Sequence, residues 1–304
     1  MFTIKNVVVI GATGFIGAPT IEALKAAGFN VTVLTRPSST SKIPSGFNIK
    51  KVDYGSFESL KAAFEGQDAV VAMTATRASG EQFTIIDAAI AAGIKRYIPS
   101  EFGVVDYTHG LPHQGIKHAI RGKLDTIDYL LEKSKQYPAF TWTRVATSFF
   151  FEFGLTTTFL GFDKDTKTAR IIDSGNERFY LSSYPFIARA VTAILANPEA
   201  TNNRCMQIGS CRVSMNELLQ IVEEESGEKW STEHVSSKEV ERAAMEKLAV
   251  APDDEDASDD LIILFLSGDN VGGGLKNEER DNAALGLQYD DPRPTVRAWL
   301  EGKI

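Results

Sequence analysis

Through the first half of the chain, short apolar runs alternate with stretches that are apolar on one side only. The runs fall at 6–10, 30–35, 49–52, 69–73 and 96–99, with a sixth at 141–145. They are rich in β-branched residues, as strands need when helices cover both faces of a parallel sheet. Between them, segments 18–27, 56–64, 82–92 and 115–135 space their apolar residues three and four apart, the period of helices that bury one face. This order predicts an α/β fold with a doubly wound parallel sheet and helices on both faces.

After about residue 153 the alternation ends. A Thr-rich connector follows at 156–158, then a predicted hairpin through 169–180 and helices at 184–195 and 216–225. The division expected is a first domain over 1–154 and a smaller α/β lobe over 155–304, with 205–208 a candidate strand returning to the first sheet. The run 253–260 carries six carboxylates in eight positions and reads as a solvated loop. A calcium loop is excluded, because loop positions 6 and 12 counted from Asp253 hold Ser258 and Leu264, where Gly and a bidentate Glu are required.

Composition narrows the partners. With 304 residues, 43% of them hydrophobic, the chain can bury a large core. Its 40 acidic against 32 basic residues give a net charge of -8, which opposes a nucleic-acid partner and a basic attraction to lipid. Only Cys205 and Cys211 are present, so no disulfide framework and no metal site are expected. The apolar run at 6–10 stops at a glycine cluster, and no run approaches the length of a membrane span. The expectation is a cytoplasmic protein, monomeric or homodimeric, acting on a small molecule.

The first run leads directly into Gly11-Ala12-Thr13-Gly14-Phe15-Ile16-Gly17, which opens an amphipathic helix. In a strand–turn–helix context this is a Rossmann dinucleotide fingerprint: Gly11 for the turn, Gly14 for close approach of a pyrophosphate, Gly17 for close packing. The amides of Thr13, Gly14, Phe15 and Ile16 are expected to face the anion. The second strand ends at Arg36 rather than at an Asp or Glu. A guanidinium grips a 2′-phosphate and cannot accept from a ribose hydroxyl, which favours NADPH/NADP+ over the unphosphorylated pair. Lys42 is a candidate second cation, with a solvated surface charge as the alternative. Thr74, Ala75 and Ser100, at the ends of the fourth and fifth strands, are assigned to the same edge.

For proton transfer the familiar Tyr-x-x-x-Lys spacing occurs at Tyr129 and Lys133, but far along its helix from the strand C-termini, so packing is the better reading. Lys117 and Arg121, near the start of the helix expected at 115–135, stand at the active edge. His113 lies four residues before Lys117, and an imidazole there is a candidate proton donor, a merely exposed His being the alternative.

The residues Gly11 to Gly17, Arg36, the block Ala92-Gly93-Ile94-Lys95-Arg96-Tyr97-Ile98-Pro99-Ser100-Glu101-Phe102-Gly103, and Lys117-His118-Ala119-Ile120-Arg121 resemble the isoflavone reductase and NmrA-like group of atypical short-chain reductases, in its fungal form. The resemblance implies an NADPH-dependent reductase of small phenolic or conjugated substrates. It implies that Lys117 is the general acid/base or cofactor-positioning residue, that Arg121 helps to hold NADPH, and that Ser148-Phe149-Phe150-Phe151 wall the nicotinamide and the aromatic ring, with ordinary core packing as the alternative for the three phenylalanines. Leu261 to Leu266 and the glycines Gly272 to Gly274 would shape the pocket from the second lobe. Two alternatives remain: a nonenzymatic NmrA-like redox sensor that binds a regulatory protein, and a nucleotide-sugar epimerase or dehydratase, which would need a working Tyr-x-x-x-Lys.

Overall fold

The computed structural model describes residues 3–74, 81–103, 116, 120–270 and 280–304. Strands β1 (Asn6–Ile10), β2 (Asn30–Thr35), β3 (Asn48–Lys51), β4 (Ala69–Ala72), β5 (Arg96–Ile98) and β6 (Thr141–Ala146) form one parallel sheet. A later strand, β11 (Arg204–Gln207), joins its edge. The order is β11-β6-β5-β4-β1-β2-β3, so direction of travel reverses between β1 and β4, the switch point where such sheets open a crevice.

Alternation along each strand decides which helices cover which face. Val7, Val9, Val33 and Val71 pack against α1 (Gly17–Ala26) and α6 (Tyr184–Ala196). Val8, Ile10, Leu34 and Val70 pack against α2 (Phe57–Phe64), α3 (Glu81–Ala91) and α4 (Arg121–Gln136). Successive side chains of a strand point to opposite faces, so one apolar strand supplies both cores.

Chain beyond residue 154 therefore completes the first sheet with β11 and α6. Arg96 anchors that return. Fully buried, it donates to the hydroxyls of Thr141 (3.0 Å), Thr143 (2.9 Å) and Thr201 (2.9 Å) and to the Pro198 carbonyl. Burial lowers its pKa to about 10, and the four acceptors offset the cost of desolvating it.

The rest of the second half has its own core. Helix α5 (Phe151–Thr156), α7 (Met215–Ser226), α8 (Ser237–Val250), α9 (Glu255–Ser267) and α10 (Arg293–Leu300) enclose two small sheets. One joins β7 (Phe149–Phe150), β10 (Phe179–Ser182) and β12 (Cys211–Val213). The other joins β8 (Phe162–Asp163), β9 (Thr168–Ile172) and β13 (Ser231–Val235).

Two sequence expectations are corrected. The hairpin through 169–180 is absent, because β9 and β10 enter different sheets. The acidic run is mostly not a loop. Asp254 caps α9 by accepting from the Ala257 amide at 2.8 Å, and Glu255 and Asp256 stand in the first turn, where the helix dipole favours negative charge. Of the helix expected over 115–135, α4 supplies Arg121 onward and Ile120 before it is a turn residue with φ -106° and ψ 12°, while residues 115 and 117–119 lie outside the described residues.

Candidate functional site

Backbone geometry builds the site at the switch point. Gly11, directly after β1, has φ +80°, and a Cβ there would lie 2.1 Å from the Met73 carbonyl oxygen at the end of β4. Only glycine lets the two strand ends approach so closely. A Cβ on Gly17 would lie 2.1 Å from the Gly11 carbonyl oxygen, so the first turn of α1 sits directly on the loop.

Of the four amides expected to face an anion, Gly14 is otherwise engaged: its N–H donates to the Gly11 carbonyl at 3.0 Å and closes the turn. Among the described residues, the amides of Thr13, Phe15 and Ile16 have no acceptor. Helix α1 has no side-chain cap and no acidic residue in its first turn. Its positive end is left for a ligand to neutralise.

Gly11, Thr13 and Gly14 line a cavity of about 460 Å³ together with Arg36, Ser38, Ser39, Ser41, Tyr54, Thr74 and Glu81. The Tyr54 hydroxyl donates to the Leu34 carbonyl at 3.0 Å, which fixes the ring, and the Arg36 guanidinium lies 5.5 Å from the ring centroid. Burial pushes the Tyr54 hydroxyl well above its ordinary pKa, against the opposing charge of Arg36, so it stays neutral. Nη2 of Arg36 also donates to both carboxylate oxygens of Glu81, at 3.1 and 3.3 Å. Thr74 and Ser100 are tied together, for the Ser100 hydroxyl donates to the Thr74 carbonyl at 2.7 Å. The buried Thr74 hydroxyl has no partner among the described residues.

Past β5, Glu101 is buried with its carboxylate 3.7 Å from Arg144. Its carbonyl accepts from Lys123 Nζ at 2.8 Å, and burial holds Lys123 below the ordinary lysine range, with Glu101 opposing. On the other side of the glycine loop, Phe15, 73% exposed, stacks on Tyr184 at 5.7 Å. Tyr184 meets Phe150 edge-on at 5.9 Å. The Tyr184 amide donates to both carboxylate oxygens of Glu152 at 3.0 Å, and burial raises the Glu152 pKa to about 7.

The other assigned residues are placed as follows. Ile16 and Gly17 begin α1, outside the cavity lining. Lys42 is exposed beside Ser41 and does not line the cavity. Arg121 also lies off the lining, 3.9 Å from Asp125 in the exposed first turn of α4. Phe149 stacks on Phe159 at 4.0 Å and packs on the second core, while its neighbour Phe150 meets Tyr184. Ala75, His113, Lys117 and the glycines Gly272 to Gly274 lie outside the described residues. Leu261 and Leu264 are buried in the second core.

Tyr129 and Lys133 are a packing pair. Both contact Asp87 at 2.7 Å, and burial with the Asp87 bond raises the Tyr129 pKa, opposite to an activated tyrosine. Tyr54, Glu81 and Tyr184 were not legible as site residues. Each reaches the loop from a distant segment and carries no local motif. Among the described residues, no cluster of His, Cys, Asp and Glu could hold a metal ion, and no helix is long and apolar enough to cross a membrane.

Comparison with known proteins agrees with this architecture. The chain is 36% identical over 250 residues to "Oxidoreductase aprR" of Aspergillus flavus, covering 81% of this chain and 82% of that protein. It is 26% identical over 266 residues to "Isoflavone reductase homolog P3" of Arabidopsis thaliana, covering 80% and 81%. The binary complex of leucoanthocyanidin reductase with NADPH from Vitis vinifera shares the fold, with a TM-score of 0.77 at 18% identity over 98% of this chain and 100% of that one. The model of the NmrA-like family matches residues 3–254, and the chain belongs to that family.

Proposed function

We propose that this chain is a cytoplasmic, NADPH-dependent oxidoreductase of the isoflavone reductase-like type, acting on a small aromatic, phenolic or conjugated substrate. One observation carries the reading: a glycine loop with an uncapped helix N-terminus and a guanidinium ending the second strand line a single cavity at the switch point. Relatives named as an oxidoreductase and as an isoflavone reductase homolog support the reaction class.

The residues present fit the cofactor. Unpaired amides of Thr13, Phe15 and Ile16 would hold the pyrophosphate, with Gly11 and Gly17 keeping the loop tight enough to present them. Arg36 on its Tyr54 platform would hold the 2′-phosphate and cover the adenine, with Lys42 as a second cation. Thr74 offers a buried hydroxyl toward the same space, held by Ser100. When bound, NADPH supplies a hydride. Lys117 would hold or donate the proton at the substrate oxygen, with His113 as a candidate proton donor, and Arg121 would help to hold NADPH. In this reading residues 1–154, completed by α6 and β11, form the cofactor domain, and the remainder of 155–304 forms the substrate lobe.

Absorbance at 340 nm with NADPH and a panel of isoflavones, lignans, quinones and enones tests the reaction. Consumption with a panel member is expected, and Lys117→Ala should keep NADPH affinity within several-fold while losing turnover. Full turnover in that variant would remove Lys117 from the chemistry. Tight binding without consumption across the panel would favour the sensor reading.

A further inference from the structure

Arg36 and Glu81 are the two charged residues among those that line the cavity, and they are paired with each other. Arg36 extends from the end of β2 across the Tyr54 ring, with the hydroxyl-bearing Ser38, Ser39 and Ser41 around it. Glu81 comes from 45 residues further along the chain, as the first residue of α3, where the helix dipole favours its charge. Its carboxylate therefore sits on the guanidinium edge that a phosphate monoester would need.

We propose that Glu81 is a selectivity-determining residue: its carboxylate occupies the seat on Arg36 that a 2′-phosphate takes, and NADPH binds by exchange with it. This inference rests on the reading of the cavity as a dinucleotide site. A 2′-phosphate must displace Glu81 from Arg36 and meets a like charge beside its seat. An unphosphorylated ribose meets instead an acceptor for its 2′-hydroxyl, the role that an acidic residue plays in NAD sites. Arg36 thus favours the phosphorylated cofactor and Glu81 opposes it, and their balance sets the preference. The pair is half-exposed, with side-chain exposures of 58% and 35%. Such pairs contribute little, so the exchange is easy and the arrangement does not lock the site shut.

The test measures dissociation constants for adenosine 2′,5′-bisphosphate, 5′-AMP, NADPH and NADH by titration calorimetry, with wild type, Glu81→Gln and Glu81→Asp. Glu81→Gln is expected to tighten the bisphosphate and NADPH about fivefold and to weaken NADH about twofold. The preference for NADPH over NADH then rises about tenfold, with 5′-AMP changing less than twofold. Glu81→Asp, which keeps the charge but withdraws it from Arg36, should move the bisphosphate in the same direction by less. Melting curves confirm that both variants are folded. A preference within twofold of wild type, or weaker NADPH binding in Glu81→Gln, overturns the role of Glu81. If wild type binds neither NADPH nor the bisphosphate, the site reading fails, and this inference fails with it.

Discussion

In the seven-stranded sheet, β1 pairs with β2, β2 with β3, β4 with β5 and β5 with β6, each neighbour lying one crossover away along the chain. In the second lobe β9 and β10 are separated by residues 173–178 alone, yet they go to different sheets. The partners of β9 are β8 and β13; those of β10 are β7 and β12. The first region is built from sequential strand–helix–strand units, whose right-handed crossovers leave little choice of pairing. The second is closed by contacts between distant segments around a shared core in which Trp299, from the last helix, packs near Trp230. Local pattern therefore specifies the region that cradles the proposed cofactor, and long-range packing specifies the region that would receive the substrate.

The largest expected effect breaks the first region. In Gly11→Val the new Cβ meets the Met73 backbone carbonyl, which cannot move aside as a flexible side chain could, at a residue with φ +80°. No rotamer relieves that contact. A loss of about 4 kcal/mol or more and the disappearance of saturable NADPH binding are expected, read by urea unfolding and by titration.

Trp299→Ala should cost about 3 kcal/mol through the cavity it leaves in the second core. Because Trp299 packs in a core separate from the sheet, NADPH affinity in the folded fraction should stay within about threefold. Loss of cofactor binding in this variant would show the two regions to be one unit.

Glu152 joins the regions, since it stands in the first turn of α5 and accepts from the amide that starts α6. Its pKa in the folded protein, about 7, lies above the ordinary 4.5. Between those values the folded chain keeps a proton that the unfolded chain has released, so this group's contribution to stability falls as pH rises from about 4.5 to about 7. Glu152→Gln should remove that dependence. Its stability relative to wild type should grow by about 2 kcal/mol between pH 5 and pH 8, as measured by urea unfolding at the two pH values. An unchanged difference would mean that Glu152 is already ionised at pH 5.

What the sequence made legible follows the same division. The six main strands and the glycine loop could be read because each is set by neighbours in the chain. The place of Arg36, directly after β2 and on the cavity lining, could be read because it depends only on where that strand ends. The engagement of the Gly14 amide with the Gly11 carbonyl is not legible, since a turn that uses it looks the same in sequence as one that leaves it open. Tyr54 and Glu81 could not be found, because their relation to Arg36 exists only once β3 and α3 are in place. The acidic run at 253–260 carries a local signal for its fold: Asp254 followed by acidic residues and then an apolar stretch is the form of a capped helix start. Nothing local distinguished β9 and β10 from a hairpin, since their separate partners lie up to about sixty residues away.

In the proposed function the cavity beside Gly11 and Arg36 takes NADPH. Titration of wild type and Arg36→Ala with NADPH and NADH, followed by nicotinamide fluorescence, tests it most directly. Saturable NADPH binding to wild type is expected, weakened about tenfold or more in Arg36→Ala, with NADH affected far less. No NADPH binding to wild type, or equal NADPH affinity in the two proteins, would contradict it.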